Sequence, residues 1–293
     1  MARLRGALGF EEFYQRRFGE RWATLRAALL AESVHTQRLN AFSVARPELS
    51  ATYSMDGASI LVAESLLVEP GMRVLDMCAA PGGKSLILAE KLFLAQNAGQ
   101  ALSPADTQSE RGLPHPSLRP LVLNELSRAR RTRLLRVLSE YLPAEIREQI
   151  EVRGYDASRF GRYQPEQFDR ILLDAPCSSE RHVLSDPAAL AAWSEARVQH
   201  LAVQQYSLLR SAFASLKPGG VLVYATCALV EDENSRVVGR LLRKLGSACE
   251  EEPVRFSVGQ AERFGWSFLP DAGGMGPMYL CRLRKTASGA STG

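Results

Sequence analysis

Two cysteines stand where a thiol can act on a ligand rather than fill a core. Cys177 ends the run Asp174-Ala175-Pro176-Cys177 and Cys227 ends Ala225-Thr226-Cys227, each after an apolar stretch of strand length. A buried cysteine is ordinarily a small hydrophobe, and Cys249 and Cys281 read that way. At the mouth of a sheet, a thiolate is instead a nucleophile able to add to an electron-poor carbon. A third segment, Leu75-Asp76-Met77-Cys78-Ala79-Ala80-Pro81-Gly82-Gly83-Lys84-Ser85, runs from a strand through small residues into a helix. Such a turn lets a ligand approach the backbone, and the helix start offers free N–H groups to an anion.

The ending Gly83-Lys84-Ser85 matches that of a phosphate-binding P-loop, but the beginning does not. Cys78 stands where the first glycine belongs, and Pro81 removes a backbone donor from the cradle. What remains suits the amino-acid end of S-adenosylmethionine, with Lys84 near its carboxylate. Taken alone, the segment also suits a glycine-rich connecting turn. Glu125 closes the next strand, where a carboxylate can accept both ribose hydroxyls. Asp156 closes the third, within reach of an adenine edge. Any one of these acids could be a helix cap, but Asp76, Glu125, Asp156 and Asp174 follow four successive strands in register.

The elements that must position these groups form an α/β pattern. Strands are expected at residues 73–78, 121–125, 151–157, 169–176, 220–227 and 277–284, with helices between the first five. This is the signal of a doubly wound, Rossmann-like parallel sheet. Ahead of it, Phe10, Phe13, Tyr14, Phe18, Trp22, Leu25, Leu29 and Leu30 make an apolar stripe at helical spacing, so residues 10–45 read as helical. The whole of 1–50 reads as a small N-terminal helical RNA-docking region, and 51–285 as the main domain. Asp56 is the expected N-cap of a helix over 56–67. Residues 95–120, rich in Pro, Ser and Gly, read as a flexible insertion, and 286–293 as a disordered tail.

Composition narrows the classes. The 293 residues carry a net charge of +4, which permits a nucleic-acid partner without demanding one. Arginines cluster at Arg16, Arg17, Arg21 and Arg26, at Arg128, Arg130, Arg131, Arg133 and Arg136, and at Arg282 and Arg284. Five cysteines without a CxxC pair argue against a disulfide framework and against a metal site. No apolar run is long enough to span a bilayer, and the first residues lack the features of a secretory or mitochondrial leader, so a cytoplasmic protein is expected.

These motifs together resemble the Sun/Nop family of RNA cytosine-5 methyltransferases, over about Tyr53 to Lys285. Cys78-Ala79-Ala80-Pro81-Gly82-Gly83-Lys84 is similar to the family's cofactor loop, and Asp174-Ala175-Pro176-Cys177 with Thr226-Cys227 to its paired cysteine motifs. The resemblance implies a class I methyltransferase fold using S-adenosylmethionine. It implies that Cys227 attacks carbon 6 of a cytosine, while Cys177 assists breakdown of the adduct and release of the RNA. Asp174 would contact the target base and the cofactor region, Glu125 the ribose, Asp156 the adenine, and Arg130 the cofactor side of the second helix. In DNA cytosine methyltransferases the proline-adjacent cysteine is the nucleophile, which leaves the reversed assignment as a rival.

Arg181-His182 and Gly276-Pro277-Met278-Tyr279 look most like the mitochondrial ribosomal-RNA branch and its bacterial relatives, so ribosomal RNA is the expected substrate and transfer RNA the alternative. Met55-Asp56 stands where many members have Gln-Asp. The sequence shows neither a PUA nor a NusB-like domain, so a partner protein or the ribosomal subunit is expected to help docking. The rivals from other classes are a P-loop-like NTPase and an inactive methyltransferase fold serving as an RNA-binding scaffold.

Overall fold

A computed structural model describes residues 4–94 and 119–286. Eleven strands are found among them: β1 His35–Leu39, β2 Thr52–Asp56, β3 Val74–Asp76, β4 Leu121–Asn124 and β5 Ile150–Arg153, then β6 Phe168–Asp174 and β7 Leu216–Thr226. The last four are β8 Cys249–Glu251, β9 Gln260–Ala261, β10 Trp266–Phe268 and β11 Met278–Lys285. The main sheet runs β5-β4-β3-β6-β7-β11-β10-β9, with β8 also paired to β11. The first five strands in that order are mutually parallel, and β11 lies antiparallel to β7. Strand order therefore reverses between β3 and β6, the switch point outside whose carboxyl ends ligands bind in open α/β sheets.

The central strands are buried on both faces, as parallel strands covered by helices must be. Val74 to Asp76, Leu121 to Asn124 and Val221 to Thr226 are buried throughout. One core side packs Leu88, Leu92, Leu123 and Leu134, and the other packs Leu75, Phe168, Leu209 and Tyr224. The six expected strands are present, with ends shifted by up to four residues. The helix expected over 56–67 spans Gly57–Glu64, and Asp56 caps it by accepting from the Ala58 N–H at 2.7 Å.

The helical reading of residues 10–45 needs correction beyond Leu30. Helices Gly6–Phe18 and Arg21–Leu30 are present, but β1 pairs antiparallel with β2, from His35 opposite Asp56 to Leu39 opposite Thr52. The apolar stripe stops at Leu30, and the following segment meets its backbone hydrogen bonds across a ladder instead of along a helix. The two helices bury Phe10, Phe13, Tyr14, Trp22 and Leu25 against Trp193, Val198, Leu229 and Val230 of the main body. Trp193 lies edge-on to Phe10 and Phe13 at ring separations of 5.4 and 5.2 Å. The proposed insertion 95–120, apart from residues 119 and 120, and the tail beyond residue 286 lie outside the described residues.

Candidate active site

At the end of β3 the chain turns through Met77 to Gly82 and enters the helix Gly83–Phe93. Two glycines make this turn feasible. Gly82 has φ of 123°, a backbone region L side chains rarely adopt, and a Cβ on Gly83 would sit 2.6 Å from the Tyr53 ring. The loop lines a cleft of about 170 Å³ with Tyr53, Met55, Ser59, Asp76 and Asp174. Lys84 reaches across it, donating to Asp174 Oδ2 at 2.7 Å and to Ser59 Oγ at 3.1 Å. Burial lowers the lysine pKa, but the Asp174 carboxylate and then Asp76 more than offset that, so the ammonium form is held.

Asp76 is buried and accepts from Ser85 Oγ at 2.7 Å, while its Oδ1 has no partner. Burial raises its carboxyl to about 7, and the nearby Asp174 adds to the shift. Glu125 is also buried. Its Oε1 accepts from the Ser127 N–H at 2.9 Å, and its Oε2 is 3.4 Å from Arg130 Nε without a hydrogen bond. Arg130 also donates to the Ala80 carbonyl at 2.8 Å, so it ties the β3 loop to the end of β4. Asp156 is exposed, caps the turn Ala157–Arg159, and does not line the cleft. The structure thus gathers Asp76, Cys78 to Lys84 and Asp174 around one cavity, and sets Glu125, Arg130 and Asp156 along the same sheet edge outside it.

The two strand-end cysteines meet. Cys177 Sγ and Cys227 Sγ are 2.9 Å apart, and Ser179 Oγ lies 3.3 Å from Cys227 and 3.5 Å from Cys177. The hydrogen bond from Cys177 lowers the Cys227 pKa, burial opposes this, and Ser179 adds to the lowering. The same hydrogen bond, with burial, raises Cys177 well above the usual thiol value. The pair is therefore asymmetric, with Cys227 the more acidic of the two thiols. Cys78 is raised by burial, as are Cys249 and Cys281, so none of these three is a ready thiolate. Cys227 also lines a second cavity, of about 440 Å³, with Asp56, Ser179, Arg181, His182 and Pro277.

Several residues that hold this geometry are not apparent from strand-end motifs. Asn124 donates to the carbonyls of Met77 and Tyr155 and accepts from the Tyr155 N–H, locking the ends of β3, β4 and β5 together. Glu180, fully buried, accepts from Tyr14 OH and Ser178 Oγ, both at 2.7 Å, and from the Leu229 N–H. Glu233 accepts from the Ser178 N–H at 3.0 Å and from Gln205 Nε2 at 2.7 Å. The loops that carry Cys177 and Cys227 are thereby fastened to each other. Arg181 donates to the carbonyls of Leu29, Ala31 and Gly276. The only local sequence signal is polar residues next to a motif; their partners lie far along the chain.

Burial, reinforced by Glu180, raises the Glu233 carboxyl from an ordinary 4.5 to about 7. A raised carboxyl makes the fold bind a proton that the unfolded chain gives up. Its contribution to stability is fully present below about pH 4.5 and is lost as pH rises through about 7. We expect Glu233→Gln to flatten the fall in urea midpoint between about pH 5 and about pH 8, by an amount on the order of 1–3 kcal/mol. A variant with the same slope as wild type would show that Glu233 does not titrate in this range.

The parallel sheet with its β3 to β6 switch point, the small-residue loop after β3 and the strand-end acids define a Rossmann-like fold with its ligand cleft at the switch point. The chain belongs to the 16S rRNA methyltransferase RsmB/F family, whose sequence profile matches residues 120–284. It is 34% identical over 246 residues to a mitochondrial tRNA (cytosine(34)-C(5))-methyltransferase of Danio rerio, covering 80% of this chain and 60% of that protein. It is 36% identical over 247 residues to the ribosomal RNA small subunit methyltransferase F of Aeromonas salmonicida, covering 82% of this chain and 45% of that protein. The chain thus spans about three fifths or less of the length of these relatives. Among solved structures it is similar to NSun6 from Pyrococcus horikoshii, described with SFG, at a TM-score of 0.63 and 23% identity. That match covers 81% of this chain and 54% of the other.

Proposed function

We propose that the chain is an S-adenosylmethionine-dependent RNA (cytosine-5)-methyltransferase acting on ribosomal RNA in the cytoplasm, with Cys227 as nucleophile. The observation that carries this reading is the thiol pair at 2.9 Å, with Cys227 opening into a cavity large enough for a pyrimidine. Family membership supports the reaction class, and the relatives' names divide between ribosomal and transfer RNA. Transfer RNA is therefore the second reading.

The residues present fit the cofactor. Asp76 Oδ1 and Glu125 Oε2, the latter 3.4 Å from Arg130 Nε, are buried acceptors without a hydrogen bond, suited to an ammonium and to a ribose hydroxyl. Cys78 to Lys84 would frame the methionine end, with Lys84 poised between Asp174 and an arriving carboxylate. Arg130 would buttress the loop, and Asp156 would serve the adenine. SFG, which accompanies the NSun6 structure, is an S-adenosylmethionine analogue. When bound, S-adenosylmethionine supplies an electrophilic methyl group. The chain does the rest. The Cys227 thiolate would add to carbon 6 of the target cytosine, and the electron pair this places on carbon 5 would receive the methyl group as its bond to the sulfonium sulfur breaks and leaves a neutral thioether. Loss of the carbon-5 proton to a base then expels the Cys227 thiolate. Cys177, 2.9 Å from that sulfur, is placed to ease the departure. Asp174, paired with Lys84, orients the base.

Lys84→Ala and Asp156→Ala should each weaken S-adenosylmethionine binding in calorimetry about 5- to 100-fold, the loss of one polar partner of the ligand. Unchanged affinity in both would remove the site assignment. Bisulfite mapping of ribosomal and transfer RNA in a deletion strain tests the substrate. A 5-methylcytosine that vanishes only from transfer RNA would replace the first reading with the second.

A further inference from the structure

A third cavity, of about 480 Å³, opens at the carboxyl end of β5, at the edge of the sheet, and is lined by Gly154, Tyr155, Asp156, Arg159, Phe160 and Tyr163. Its floor is the buried Phe160, 6.3 Å from the Tyr155 ring. Its walls are two aromatic rings left in solvent, Tyr155 at 59% and Tyr163 at 65% exposure. Each ring has a guanidinium on its face, Arg153 at 5.7 Å from the Tyr155 centroid and Arg162 at 5.8 Å from that of Tyr163. The Arg131 guanidinium packs on Gly154, where a Cβ would lie 2.4 Å from its Nη1, so glycine makes room for that charge. Arg159 lies 3.5 Å from Asp156, and Arg153 is paired with Glu151.

Exposed flat rings interleaved with guanidinium groups are the surface on which single-stranded bases stack while phosphates meet cations. We infer that this groove holds an unpaired nucleotide of the RNA flanking the target cytosine, its base against Tyr155 and Tyr163 and its phosphates on Arg159 and Arg162. The inference rests on the reading of the chain as an RNA methyltransferase. β5 lies four strand spacings from β7, about 19 Å along the edge that carries the cysteines. A nucleotide in the groove therefore lies a few residues along the strand from the base at Cys227. Stacking of this kind prefers single strands and tolerates any base, so it would select unpaired targets rather than a sequence.

The test measures anisotropy of a short fluorescein-labelled oligocytidylate against wild type, Tyr155→Ala/Tyr163→Ala and Tyr155→Phe/Tyr163→Phe, with calorimetry of S-adenosylmethionine in parallel. We expect the alanine pair to raise Kd for the oligonucleotide about tenfold or more, the phenylalanine pair to restore it, and S-adenosylmethionine affinity to stay unchanged. Because both rings are exposed, the alanine variant should fold, and circular dichroism checks that it does. Equal oligonucleotide affinity in wild type and the alanine pair overturns the groove assignment and leaves the enzyme reading standing. Loss of S-adenosylmethionine affinity with oligonucleotide affinity intact assigns the groove to the cofactor and overturns it too. A wild-type protein that binds no RNA removes the enzyme reading and the groove with it.

Discussion

Cys227→Ala should abolish methyl transfer and leave no covalent protein–RNA complex, a loss expected on the order of 10⁴-fold or more in rate. Without the thiolate, carbon 5 would never gain the electron density to take a methyl group. Cys177→Ala should give the opposite phenotype. Addition and methylation should proceed while elimination stalls, so an RNA-linked band is expected to survive denaturing electrophoresis. The geometry places the two sulfurs 2.9 Å apart, with Ser179 Oγ within reach of both, so each thiol can act on the other's chemistry. A substrate carrying 5-fluorocytosine should trap wild type in the same linked form, because fluorine does not depart as a proton does. An adduct in Cys227→Ala together with none in Cys177→Ala would reverse the roles and install the mechanism of the DNA enzymes.

Trp193→Ala should cost about 3–5 kcal/mol of stability in urea denaturation, the loss expected for truncating a fully packed indole. The ring is 3% exposed and contacts Phe10, Phe13 and Tyr14 of the first helix. Its loss should also loosen the Tyr14 hydrogen bond to Glu180, and through it the loop bearing Cys177. Hydrogen exchange at Ser178 and Leu229, whose N–H groups are held by Glu233 and Glu180, would report this directly. A destabilisation below about 1 kcal/mol would mean that the helices are held elsewhere.

The strands from β3 to β7, and β11, are legible because a sheet covered on both sides writes itself as unbroken apolar runs bounded by turns. The site is legible where chemistry depends on neighbours in sequence, as in Cys78 to Lys84 and in the two cysteine motifs. It is illegible where it depends on distant partners. Glu180 and Glu233 look like surface acids until Tyr14 and Gln205 are brought to them. The hairpin of β1 and β2 escapes because His35 to Leu39 is almost wholly exposed and shows no apolar alternation. Among the clustered N-terminal arginines, Arg17 pairs with Asp232, Arg21 with Asp271 and Arg26 with Glu11, partners far along the chain in the first two cases. Arg128, Arg133 and Arg136 instead stand exposed on the helix after β4, and the phosphate-facing surface is expected there.

The position of β11 bears on how the chain can be made. It lies between β7 and β10, yet it is the last of these strands to leave the ribosome. Until it arrives, the eleven residues of β7, with Cys227 at their end, form an open border rich in valine and leucine. Such a border is a template for pairing with another chain. A nascent polypeptide paused before Met278 would leave that border uncovered, so its dependence on chaperones should be greatest until this strand has emerged.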